Sequence, residues 1–177
     1  MKRSLWAFAA LLAGCFGSVG ITDLPEPENH RPATRMCDDL RDSPEVSMSF
    51  AGGCESHDEC TDGDNGRCLS GRAENYCSYD GCFADSDCEG PCLCGSGSGA
   101  NYCAGGGCQV DSDCGPGGWC SPTYGSCGSF GGVTAYECHT PDDECTNDSD
   151  CSDMPNGYCK FSDEAGRWVC DNIQCAG

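Results

Sequence analysis

One cysteine spacing that recurs four times decides what this chain can become. Pairs with five residues between them occur at Cys54/Cys60, Cys82/Cys88, Cys108/Cys114 and Cys145/Cys151. A Gly-x-Cys follows each pair, at Gly66-Arg67-Cys68, Gly90-Pro91-Cys92, Gly118-Trp119-Cys120 and Gly157-Tyr158-Cys159. A later cysteine then closes each unit, at Cys77, Cys103, Cys127 and Cys170. Side chains repeat as well, Asn75-Tyr76-Cys77 being answered by Asn101-Tyr102-Cys103. Such self-similarity marks tandem duplication and divides residues 54–177 into units at 54–81, 82–107, 108–144 and 145–177. Cys92 and Cys94 compete for the third place of the second unit. The Gly-x-Cys pattern favours Cys92, the spacing favours Cys94. Cys37, Cys138, Cys175 and one of Cys92/Cys94 stand outside the repeat and are candidates to bridge between units. Pairing itself does not follow from spacing.

Apolar residues cannot replace these cysteines as a source of shape. Beyond residue 14 the chain has only 16 Leu, Ile, Val and Phe, roughly a tenth of that stretch and well below the ~20% under which disorder is expected. Ordering costs on the order of 1–2 kcal/mol per residue, which so thin a core does not offset. Crosslinks, each contributing about 2–4 kcal/mol, must make up the difference. Gly and Pro number 26 and 9, and no window holds a helical period. The expected fold is small and disulfide-rich: tandem loop-rich cysteine modules with short β-hairpins and little helix beyond the leader. The clearest hairpin is Gly157–Phe161 against Arg167–Cys170 about a Ser162–Gly166 turn, where apolar and polar residues alternate on both sides.

The first 14 residues read as a secretory leader. Lys2 and Arg3 start it and Leu5 to Ala13 form its apolar stretch, too short for the ~20 residues that span a bilayer. Leu12-Ala13-Gly14-Cys15 resembles the lipobox of bacterial lipoproteins. That resemblance implies cleavage before Cys15, acylation of its thiol, and a lipid bilayer as partner through two or three acyl chains. Removing Cys15 from 21 cysteines leaves an even 20, as full pairing requires. The implied location is the cell envelope, as an outer-membrane lipoprotein on its periplasmic face or at the cell surface. Residues 15–53, with Leu24-Pro25-Glu26-Pro27-Glu28-Asn29 and Arg31-Pro32, read as a Pro-rich, acidic linker. Met36-Cys37-Asp38-Asp39-Leu40 reads as one helical turn, with Cys37 pinning the linker's end to the body.

Past the leader, 7 basic residues face 29 acidic ones, a formal balance of −22. A surface so charged repels nucleic acid and anionic lipid and excludes both as partners.

Cys108-x5-Cys114-Gly115-Pro116-Gly117-Gly118-Trp119-Cys120 resembles the cysteine-rich N-terminal module of Dickkopf proteins, with acidic residues before the second cysteine and a Gly-Pro turn before the third. The resemblance covers about residues 54–175 in pieces. The paired cysteines that end the animal module are missing, so receptor binding does not carry over. A small disulfide-held module without catalysis is what it implies.

Chemistry-bearing patterns are few. Asp85-Ser86-Asp87, Asp111-Ser112-Asp113 and Asp148-Ser149-Asp150 recur before the second cysteine of three units, with His57-Asp58-Glu59 in the first. Aspartates in such places make Asx-turns. As calcium sites they offer two or three of the six to eight oxygens needed, and Asp62-Gly63-Asp64-Asn65-Gly66 lacks the distal glutamate. Cys92-x-Cys94 and His57-x-x-Cys60 have zinc-like spacing, but an exported chain keeps its thiols oxidised. No metal, cofactor or catalytic residue is therefore assigned, and the chain reads as a non-enzyme. His30 falls in the linker, His57 reads as a solvated loop residue, and His139 adjoins Cys138. Gly95–Gly99 reads as a flexible loop.

The disulfide set is Cys37, Cys54, Cys60, Cys68, Cys77, Cys82, Cys88, Cys92, Cys94, Cys103, Cys108, Cys114, Cys120, Cys127, Cys138, Cys145, Cys151, Cys159, Cys170 and Cys175. The expected function is a lipid-anchored, non-catalytic binding or structural surface module with a protein or glycan partner. A protease inhibitor or a calcium- or metal-binding envelope protein is the alternative. Tyr79, Phe83, Trp119 and Tyr124 are the candidate contact aromatics.

Overall fold

A computed structural model describes residues 24–37, 52–71, 73–95, 99–128 and 132–175. The leader, Cys15, residues 16–23 and residues 38–51 lie outside these. Among the described residues there is no α-helix and no helix long and apolar enough to cross a membrane.

Each unit is a short 3-10 turn followed by an antiparallel strand pair. The turns are His57–Glu59, Asp85–Asp87, Asp111–Cys114 and Asp148–Cys151. The pairs are β1 (Arg67–Ser70) with β2 (Asn75–Ser78), β3 (Cys92–Leu93) with β4 (Tyr102–Cys103), β6 (Cys120–Tyr124) with β7 (Val133–Cys138), and β8 (Gly157–Ser162) with β9 (Arg167–Asn172). A further strand, β5 (Gly105–Gly106), lies parallel to β7 and joins the second unit to the third. The hairpin expected about Ser162–Gly166 is β8–β9.

Register explains the repeat. Third and fourth cysteines face each other across every hairpin: Cys68 and Cys77, Cys92 and Cys103, Cys120 and Cys138, Cys159 and Cys170. Directly opposed residues point to one face of a strand pair, so both sulfurs reach down to the turn beneath. There the first cysteine bonds the third and the second bonds the fourth, as in Cys54–Cys68 with Cys60–Cys77 and Cys82–Cys92 with Cys88–Cys103. The other two units repeat this with Cys108–Cys120, Cys114–Cys138, Cys145–Cys159 and Cys151–Cys170. The third unit corrects the sequence reading: Cys138, not Cys127, is its fourth cysteine. The second unit takes Cys92 as its third. Cys94 instead holds Cys37, and Cys127 holds Cys175.

The glycine of each Gly-x-Cys has a steric cause. A Cβ at Gly66, Gly118 or Gly157 would overlap the carbonyl oxygen of Cys60, Cys114 or Cys151, the second cysteine of its own unit. The turn and the first strand touch backbone to backbone there, and only glycine permits it.

The core is accordingly sulfur with a few aromatics. Its four clusters centre on Cys54/Cys60/Cys68, Cys37/Cys82/Cys92, Cys108/Cys120 with Tyr136, and Cys145/Cys151/Cys159 with Trp168. Polar contacts stitch unit to unit. Buried Asp80 accepts bonds from the Arg67 guanidinium, the Asn65 amide and the Asn101 N–H. The Tyr158 hydroxyl donates to the Gly125 carbonyl, and the Trp168 indole to that of Cys138.

Residues 24–37 are not a free linker, which is a second correction. They form a strap laid across three units. The Glu28 N–H donates to Asn147 Oδ1 at 2.6 Å, the His30 ring meets Asp111 at 2.7 Å, and Arg31 meets Asp85. Arg31 also pairs by backbone with Cys120 and Asp111, and Met36 bridges Ala84 beside the Cys37–Cys94 disulfide. Met36 is extended, and residues 38–40 of the expected helical turn lie outside the described part.

Candidate binding groove

The aspartate-rich turns resolve into two jobs. The second carboxylate of each turn caps it: Asp87 accepts the N–H groups of Phe83 and Ala84, Asp113 those of Gln109 and Val110, and Asp150 those of Thr146 and Asn147. These donors hold the Asp87 and Asp113 carboxyls below the usual aspartate range. The first carboxylate reaches across to the third cysteine. Asp85, Asp111 and Asp148 accept the N–H of Cys92, Cys120 and Cys159 at 2.8–2.9 Å. In the first unit His57 fills this place, its Nδ1 accepting the Cys68 N–H at 2.9 Å. His57 is thus half-buried and structural rather than a solvated loop residue.

Four clusters of three cysteine sulfurs lie within 4.8 Å of one another. Each is two adjacent disulfides of one unit, and its sulfurs are bonded to each other.

His139 is buried, stacked on Trp168 at 4.2 Å, with Nδ1 2.9 Å from Asp143. Its Nε2 and the Ser121 Oγ both line a cavity of about 50 Å³, and neither has a hydrogen-bond partner. Asp, His and Ser thus share one corner without a serine–histidine bond. Both side chains are sealed from solvent, whereas a nucleophile and its base need contact with each other and with substrate.

The large concavity lies elsewhere, with a volume of about 860 Å³. The strap forms one wall, β3, Gly95 and Gly99–Tyr102 the second, and the β6–β7 hairpin the third. Tyr102 comes from β4 and is 45% exposed. Tyr124 sits at the irregularity of the β6–β7 ladder, and Tyr136 faces Pro122 in register. Burial pushes the phenol pKa of both Tyr124 and Tyr136 up, against a downward pull on Tyr136 from Arg31. Both rings therefore stay neutral near pH 7. No hydrogen bond to another described residue occupies the hydroxyl of Tyr102, Tyr124 or Tyr136.

Two arginines complete the groove. Arg31 is 4% exposed. Its Nη2 contacts both Asp85 oxygens at 3.0 Å, and its guanidinium lies 5.4 Å from the Tyr136 ring centre. Its Nε and Nη1 have no hydrogen-bond partner. Arg35 donates its backbone N–H to Asp85 and leaves its side chain exposed. Among the described cations it is the one without a carboxylate partner: Arg67, Lys160 and Arg167 pair with Asp80, Asp171 and Glu144.

Of the four aromatics expected to make contacts, only Tyr124 lines this groove. Tyr79 packs on the first unit's disulfides, and Trp119 is held edge-on by His30 with its indole donating to Leu24. Phe83 is half-buried beside the strap. Arg31, Arg35, Tyr102 and Tyr136 were missed. The scarcity of cations beyond the leader was the signal that could have found the arginines.

Comparison with known proteins returns no matching family model, no matching curated protein and no matching solved structure.

Proposed function

We propose that this chain is an exported, lipid-anchored, non-catalytic binding module that presents the tyrosine–arginine groove from the cell envelope, as an outer-membrane lipoprotein. One observation carries the binding role: an 860 Å³ groove that combines three phenol rings with a buried, under-bonded guanidinium and an unpaired one. Its volume falls in the range of ligand sites, roughly 300–1,000 Å³, and Tyr and Arg are the residues that most often dominate binding energy. Ten disulfides fit an oxidising compartment. They also fix the groove walls before ligand arrives, lowering the ordering cost of binding.

The anchor reading rests on Leu12-Ala13-Gly14-Cys15 and the basic-started leader. Because the strap docks from Leu24 onward, residues 16–23 are the only spacer. Fully extended they reach about 28 Å, which holds the groove close to the membrane.

Two experiments test this reading. Cys15→Ser should abolish fatty-acid labelling and release the chain from membranes; continued labelling refutes the anchor. An envelope pull-down with the oxidised body should lose its captured component when Tyr102→Ala and Arg35→Gln are combined. Identical capture by the variant refutes the groove.

A further inference from the structure

We infer that the groove takes a saccharide bearing a carboxylate, with the acid on the Arg31/Arg35 side and a sugar ring against the tyrosines. This rests on the binding reading above and names its ligand class.

The charge argument comes first. The chain beyond its leader carries a formal −22, and nearly every described cation is matched to a carboxylate. Arg35 is the exception, and it stands at the groove. Arg31 behind it is nine-tenths buried, yet two of its three nitrogens lack a partner. Leaving buried donors unmade costs about 1–3 kcal/mol each, more for a charged group. The cation–π contact with Tyr136 relieves part of this. Asp85 already neutralises Arg31, so the local balance is Arg35 against Glu28. The groove is thus a neutral window in an otherwise acidic surface. An arginine fork matches a carboxylate in two parallel hydrogen bonds.

The shape of the remaining wall selects a sugar. Tyr102, Tyr124 and Tyr136 offer apolar faces edged by hydroxyls that no described residue engages. Neutral phenols both donate and accept. A pyranose presents the matching surface, a flat C–H face bordered by hydroxyls. Polymers with one anion per residue, nucleic acid included, meet the repulsion of the whole chain, so the fitting ligand is a short acidic saccharide segment.

The test is calorimetry on the oxidised full chain in detergent micelles, with tri-galacturonate, its methyl ester and penta-glutamate as probes. The expected result is saturable binding of tri-galacturonate, at least about tenfold weaker binding of the neutral ester, and no comparable binding of the acidic peptide. Arg35→Gln and Tyr102→Ala alter exposed side chains and should each weaken tri-galacturonate about tenfold while leaving the ten bridges intact. Equal affinity for acid and ester, equal or tighter binding of penta-glutamate, or no binding at about 1 mM ligand overturns the inference. Were saccharide binding absent while the envelope pull-down still depended on the groove, the ligand class would fall and the binding reading would stand.

Discussion

Asp85 is the carboxylate on which the strap and the second unit converge, so Asp85→Asn separates the roles of the repeated aspartates. Asp85 takes two contacts from Arg31 at 3.0 Å, one from the Arg35 N–H at 3.0 Å and one from the Cys92 N–H at 2.9 Å. Its pair with Arg31 is almost wholly buried, at 3% and 4% exposure. Asparagine keeps the shape but removes the charge, leaving Arg31 buried without its counter-ion. Breaking a buried pair from one side costs about 3–5 kcal/mol. At the equivalent Asp148 only the Cys159 N–H is at stake, and Asp148→Asn should cost about 1 kcal/mol or less. Guanidinium unfolding of the oxidised protein, followed by tryptophan fluorescence, reads both, because Trp119 touches the strap through His30 and Leu24. Arg31→Met removes the orphaned charge, so the double variant should recover about 2 kcal/mol relative to the sum of the singles. Equal losses at Asp85 and Asp148, or a strictly additive cycle, would refute the reasoning.

Three further outcomes follow from the same geometry. Burial raises the Asp143 carboxyl, but His139, the Thr140 N–H and hydroxyl and the Trp168 N–H outweigh it and hold it below 3.8. Its stabilising contribution is therefore complete above about pH 4 and is lost as pH falls through the folded value; Asp143→Asn should flatten the fall in thermal midpoint between about pH 4 and pH 2. In Cys94→Ser the freed Cys37 thiolate lies 3.7 Å from the Cys92 sulfur; attack there forms Cys37–Cys92 and expels Cys82 as a thiol, so alkylation should label Cys82, and labelling confined to Cys37 would contradict the geometry. Gly157→Ala drives a methyl into the Cys151 carbonyl and should cost about 1–3 kcal/mol in thermal unfolding, whereas Gly166→Ala meets no atom within 4 Å and, at φ +63°, pays only for its backbone conformation.

What the sequence disclosed is what local spacing encodes. The four-cysteine unit, the sulfur-based core and the β8–β9 hairpin were legible because each lies within some 25 residues and shows as periodicity. The Gly-x-Cys glycine was legible as a motif, although its cause is a carbonyl six or fewer residues upstream. Cys138 was misassigned because the loop between β6 and β7 is longer than in the other units, which carried Cys127 into the expected place. Strand register, not residue count, decides which cysteine faces Cys120. The strap read as a linker because its partners lie 50 to 119 residues away in sequence, beyond any local pattern. Groove residues come from three such distant segments, and Arg31 becomes special only when Asp85 and Tyr136 surround it. His57 escaped notice as an acceptor because the equivalence of its Nδ1 with an aspartate oxygen appears only once the four turns are superimposable.

The most direct test of the account is the disulfide map of protein taken from its own envelope, digested without reduction and read by mass spectrometry. Cys37–Cys94, Cys114–Cys138 and Cys127–Cys175 should be recovered alongside the repeated pairs, with no free thiol among the twenty. A Cys114–Cys127 bridge, a Cys37 bonded elsewhere, or several reactive thiols would contradict it, since both the strap and the groove depend on those three links.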